Sequence, residues 1–243
     1  MAWIEIINQK IFKPVLLERI ISERPSRYIA DNPFIELNKY FKTLEANDLF
    51  FVEDVNDNPW HLLLIFGCVL LPASIACMVS LDFFLYTSPF LVIALLPLAL
   101  HYFNPSKEIV LDRLNGTITY PKLFFYKTPN TFLFSEVQFF KKLERGDEDH
   151  DSSMILYLKH PKSKKKIILS TANDLYEKMC FYIWYMDKNR PLPPGNAFNP
   201  YRKEDFDRRH KEGFLTPLYP SLIDIKEENS SQEKIKLDFL KNI

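Results

Sequence analysis

Glycine is scarce in this chain, with five in 243 residues, at positions 67, 116, 146, 195 and 213. No glycine-rich phosphate loop can be assembled from that spacing. Cysteine is almost as rare: Cys68, Cys77 and Cys180 form neither a CxxC pair nor a Cys/His metal spacing, which argues against a zinc site. Cys68 and Cys77 fall on opposite faces of a helix at ~100° per residue, so they do not pair within one. Buried thiols in a reducing compartment are expected. Net charge is missing as well. The 31 basic side chains balance 31 acidic ones, which removes the basic footprint of a nucleic-acid-binding protein. Histidines 61, 101, 150, 160 and 210 never recur at i, i+3 or i+4, and no GxSxG elbow, HExxH or Cys–His signature occurs. These absences predict a chain that is not an enzyme and carries no metal or other cofactor. Residues 1–10 lack a basic stretch followed by an apolar core, so a cleaved signal peptide is not expected.

What the chain has in abundance is one long apolar tract. Between Trp60 and Phe103 the only Asp, Glu, Lys or Arg is Asp82. It divides the tract into halves of roughly 21 residues, matching the ~20 needed for a helix to cross a hydrocarbon core of ~30 Å. The tract therefore predicts a transmembrane hairpin, spanning about 60–81 and 83–103, with Asp82 at its turn. No Lys or Arg lies between residues 80 and 89, whereas Lys39, Lys42, Lys107, Arg113, Lys122 and Lys127 flank the tract. That asymmetry places both termini in the cytoplasm. Pro72 and Pro97 sit mid-span, where lipid-embedded helices tolerate proline. The bilayer is thus the first expected partner, and an anchor without buried charge is a better reading than a transporter.

The flanks divide into three. Residues 1–59 form a cytoplasmic N-terminal segment with a short amphipathic helix near 11–23, from Phe12, Val15, Leu16 and Ile20, and a strand at 48–53. Residues 105–190 read as short β-runs: 108–112 and 116–120 around an Asn115–Gly116 turn, then 123–126, 131–134, 137–140, 154–158 and 166–169. A helix follows, carrying an apolar stripe of Leu175, Met179, Tyr182, Ile183 and Met186. Residues 191–243 are a proline-rich tail with a short helix over about 200–212, between Pro200 and Gly213. The end, 225–243, is either a weak helix or disordered.

Ile109–Tyr120, with its Asp112–Gly116 turn, and Phe132–Phe140 carry a resemblance to the bacterial membrane proteins in which a two-span hairpin precedes a pleckstrin-homology (PH-like) domain. The likeness covers about 60–189 and implies a membrane α+β fold: the hairpin followed by a PH-like antiparallel barrel or sheet capped by one C-terminal helix. Arg190–Gly195 and Pro217–Ser221 resemble the tail of a bacterial membrane-protein family associated with type VI secretion systems. That likeness implies a protein of the bacterial inner membrane, an immunity or accessory protein meeting a toxin, an effector or a secretion component.

Two loops are candidate contact sites. Lys159, Lys162, Lys164, Lys165 and Lys166 crowd a strand–strand turn, which suits anionic lipid headgroups or a protein partner, or else a solvated turn guarding a sheet edge. Asp147, Glu148, Asp149 and Asp151 make an acidic loop without the glycine and distal glutamate of a calcium loop; it is a solvated or protein-docking loop. The functional expectation is a membrane-anchored protein-interaction module, with a lipid-binding scaffold as the alternative.

Overall fold

The computed structural model describes residues 14–25, 41–55, 95, 108–121, 130–144, 153–162, 166–170 and 175–241. Alternation of apolar and polar residues at a period of two builds most of it. In Glu108–Asp112 (β4) and Thr117–Tyr120 (β5), Ile109, Leu111, Ile118 and Tyr120 turn inward and are buried. Their partners Phe41–Ala46 (β2), Phe50–Val55 (β3) and Asn130–Leu133 (β6) complete a five-stranded antiparallel sheet in the order β2-β3-β4-β5-β6. Asp54 and Glu108 are register partners, so the chain leaves the sheet at β3 and re-enters beside it at β4. A 3-10 turn at Phe134–Glu136 leads into a second antiparallel sheet: Val15–Leu17 (β1), Gln138–Glu144 (β7), Ser153–Lys159 (β8) and Lys166–Ser170 (β9), in the order β1-β7-β8-β9.

The helix Leu175–Met186 (α1) lies in the core between these sheets and the chain that follows it. Ten of its residues are buried, including Lys178 and the faces opposite the apolar stripe. The reason is aromatic packing on two sides: Phe51 of β3 meets Phe181 at 4.9 Å, and Phe198 stacks on Tyr185 at 5.7 Å. Phe198 belongs to a 3-10 helix, Asn196–Tyr201, which runs into Arg202–Lys211 (α2). Asp187 fixes this part. Its carboxylate accepts from the backbone N–H groups of Asn189, Leu218 and Tyr219 and from Arg190 Nε at 3.0–3.3 Å, so the two proline-containing tracts singled out in the sequence are tied to one another. A last helix, Ser230–Lys241 (α3), buries no side chain.

The structure corrects the expected fold class. In place of a transmembrane hairpin followed by a PH-like barrel with one capping helix, the described residues form two antiparallel sheets and three α-helices. No helix among them is long and apolar enough to cross a membrane. The longest run 12 residues, about 18 Å against the ~30 Å required. The tract that suggested the spans lies outside the described residues apart from Leu95. The multi-pass location at a bacterial inner membrane, with both termini cytoplasmic, is withdrawn with the hairpin. The first sheet also takes β2 and β3 from before that tract. Of the expected helix near 11–23, the described residues 14–23 contain β1 and no helix. Val15–Leu17 hydrogen-bonds to the edge of β7, and Ile21 is held by backbone bonds to Pro220 and Leu222, tertiary partners that override the helical spacing of four apolar residues. The strand read at 123–126 lies outside the described residues.

The β4–β5 turn is one of the few places where glycine is needed. Asp112 accepts from the Asn115 backbone N–H at 3.0 Å and side-chain amide at 2.8 Å, and Gly116 closes the turn at φ 65°. A Cβ there would touch nothing within 4 Å, so Gly116→Ala is expected to cost about 1 kcal/mol from backbone strain alone. Urea denaturation measures this, and a larger loss would mean that the turn also packs.

Candidate functional site

Of the basic turn predicted from sequence, Lys159, Lys162 and Lys166 are described; Lys164 and Lys165 lie outside the described residues. So do Asp147, Glu148, Asp149 and Asp151, in the β7–β8 connection. Lys159 ends β8, Lys166 begins β9, and the two are direct register partners, which puts their Cβ atoms ~5 Å apart. Two like charges so placed repel unless an anion or a solvating shell lies between them. The Lys166 ammonium folds back over the Tyr157 ring, 5.2 Å from its centroid, and so sits over the sheet face.

His160, which no spacing rule marked, is the post on which this turn is built. It is buried and stacks on Phe132 of β6 at 3.9 Å. Its Nδ1 accepts the Lys162 backbone N–H at 3.1 Å, and its Nε2 meets Glu136 Oε2 at 2.9 Å. With Nδ1 accepting, Nε2 carries the proton and donates to the carboxylate. The hydrogen bond from His160, with Lys162 nearby, holds the Glu136 carboxyl below its ordinary range.

The second sheet has two unlike faces. Phe139, Leu156, Leu158, Ile167 and Leu169 point into the main core. On the opposite face Leu16, Phe140, Tyr157 and Ile168 are consecutive register partners and form an apolar row across all four strands. Phe140 and Tyr157 stack at 5.4 Å with 14° between their planes. Ile155 and Tyr157 are buried yet lie outside the core cluster, while Leu16 is 55% and Ile168 41% exposed at the ends of the row. The next row towards the turn is Gln138, Lys159 and Lys166, and Lys142 stands opposite Ile155 on the other side. The face that the core does not use thus carries an apolar row with a buried centre and exposed ends, with Lys159 and Lys166 beside it. None of its members except the turn lysines was marked by the sequence, because each lies on a different strand.

The buried polar groups are spent inside the fold. Glu53 of β3 accepts hydrogen bonds from Lys178 and Tyr182 of α1. Arg113, fully buried, donates to the carbonyls of Tyr185 and Arg190 and to Asp205. Burial lowers the Arg113 guanidinium from its ordinary range, opposed by Asp205. Cys180 is buried beside Ser22. Among the described residues no three His, Cys, Asp or Glu side chains converge as a metal site would require.

Comparison with family models, curated proteins and solved structures finds no significant match. The likeness to two-span PH-domain proteins and to a secretion-associated family accordingly rests on the residues quoted above alone.

Proposed function

We propose that this chain is a protein-interaction module, not an enzyme, and that it docks its partner on the outward face of the four-stranded sheet. One observation carries the reading: the Leu16–Phe140–Tyr157–Ile168 row crosses every strand of the sheet on the face turned away from the core. Apolar side chains exposed beside charge mark an interaction surface, and here the exposed members are Leu16 and Ile168 at the two ends of the row, Tyr157 between them being buried. The lysines choose the partner's character. Lys159 and Lys166 at one flank suit a segment with apolar side chains followed by carboxylates at one end.

Selection of a random displayed peptide library against the full chain tests this. Enriched peptides are expected to combine apolar residues with Asp or Glu. Their affinity should fall about tenfold or more, ~1.4 kcal/mol, on Ile168→Asp or on Lys159→Glu with Lys166→Glu, while the circular dichroism stays unchanged. No enrichment would overturn the proposal. So would peptides indifferent to those variants, or binding of the same lysines to anionic lipid vesicles in place of peptide.

A further inference from the structure

The stretch after Ser221 is held unlike the rest of the fold. Among its described residues Glu227 is the one buried side chain, and it is a carboxylate. Ile223 and Ile225 pack half-buried against the core, and Phe239 of α3 touches His210 and Phe214 edge-on at 5.5 Å. The remaining grip is ionic. Both Glu227 oxygens accept from Arg209, at 2.8 Å each, and Glu228 pairs with Arg202.

The two arginines are positioned without help from the tail. Arg202 donates to the carbonyls of Leu192, Pro193 and Gly195 at 2.9–3.2 Å and to Asn199 Oδ1 at 3.1 Å. Arg209 Nε is held by Asp205 Oδ2 at 2.9 Å. Fixed guanidinium forks recognise carboxylates with high geometric specificity, and here they border a small crevice whose other wall is Glu227, Glu228 and Gln232. Without the tail, Asp205 would be left to balance Arg113, Arg202 and Arg209, Arg208 being shared with Glu212, a field attractive to an anion.

We propose that Arg202 and Arg209 form a binding site for an acidic protein segment bearing two adjacent carboxylates, and that the chain's own Glu227–Glu228 occupies it as an internal stand-in. A partner's acidic segment competes by displacing the tail. The site shares no residue with the docking face on the four-stranded sheet and does not depend on it.

The probe is a fluorescent peptide of residues 222–241, titrated against the full chain. The wild-type chain is expected to bind it weakly. The Glu227→Gln, Glu228→Gln chain should bind it at least about tenfold more tightly, with affinity reduced in about 0.5 M NaCl, because the half-exposed Glu228 of the Arg202–Glu228 pair is screened by salt while the buried Arg209–Glu227 pair is not. Adding Arg202→Gln to that chain should abolish binding, and a probe carrying both glutamine changes should not bind. Equal affinity for wild type and the double variant, or binding that ignores the probe's glutamates, overturns the proposal. A second measurement needs no substitution. Backbone amides of α3 in the wild-type chain should exchange with deuterium faster at about 0.5 M than at about 0.05 M NaCl while those of α1 stay unchanged; salt-independent exchange in α3 overturns it as well.

Discussion

Replacing Asp205 by alanine is expected to remove about 3–5 kcal/mol of stability, a large share of the ~5–15 kcal/mol that holds a domain of ordinary size together. The carboxylate is 2% exposed and accepts from Arg208 Nη2 at 2.9 Å, Arg209 Nε at 2.9 Å and Arg113 Nη2 at 3.3 Å. These arginines do not depend on it equally. Arg208 reaches Glu212 and is partly exposed, and Arg209 retains Glu227. Among the described residues Arg113 has no second carboxylate. Its guanidinium is fully buried, its Nε finds no hydrogen-bond partner, and its other contacts are the Tyr185 and Arg190 carbonyls at 2.6 Å. Removing Asp205 therefore strands a charge in a site water does not reach, and the desolvation cost of that charge is the expected loss. Glu212→Ala is the control. It breaks a single exposed i,i+4 pair and should cost at most ~0.5 kcal/mol. Urea titrations of both variants measure the difference; a loss below about 1 kcal/mol for Asp205→Ala would show that Arg113 is solvated or re-paired, and would remove Asp205 from its place as the hub.

The same network shows where sequence reading ends. Asp112–Gly116 was legible as a turn, because the residues that cap it and the glycine that closes it are neighbours in the chain. The helix stripe from Leu175 to Met186 was legible for the same reason. Arg113 and Asp205 are 92 positions apart, and Glu53 and Lys178 are 125 apart. No local window contains either pair, and a charged residue read alone is assigned to the surface. The candidate docking face was half visible. The lysines of one turn are contiguous and stood out, but Leu16, Phe140, Tyr157 and Ile168 become a row through cross-strand register, which composition does not encode. Register also undid the helix expected near 11–23, since Val15–Leu17 is a strand by virtue of β7. The expected transmembrane hairpin rested on the length and neutrality of one tract, and no helix among the described residues is long and apolar enough to cross a membrane.

Alkaline pH should unfold the protein steeply, and the cause is three tyrosines with no exposed surface: Tyr120 of β5 and Tyr182 and Tyr185 of α1. Burial pushes all three phenols upward, because a phenolate in the core loses its hydration. Glu53 adds to the effect at Tyr182, repelling the phenolate and accepting the hydrogen bond of the protonated form. At Tyr185 the nearby Arg113 opposes the shift without cancelling it. In the unfolded chain each tyrosine ionises near pH 10. Above that pH the unfolded state has released protons that the folded state retains, so stability is complete below about pH 10 and falls as pH rises towards the folded values. Each group contributes a slope of about 1.4 kcal/mol per pH unit, or about 4 for the three together. Urea titrations between about pH 9 and 11.5 should show this fall, with absorbance near 295 nm reporting fewer ionised tyrosines in the folded than in the unfolded chain. Tyr182→Phe is expected to cut the slope by about a third. It leaves Glu53 paired with Lys178, so the change in slope separates the titration from any constant loss of packing. A slope unaltered by Tyr182→Phe would mean that the Tyr182 hydroxyl ionises as freely in the fold as outside it, and the Glu53–Tyr182 contact would then have no part in keeping that phenol protonated.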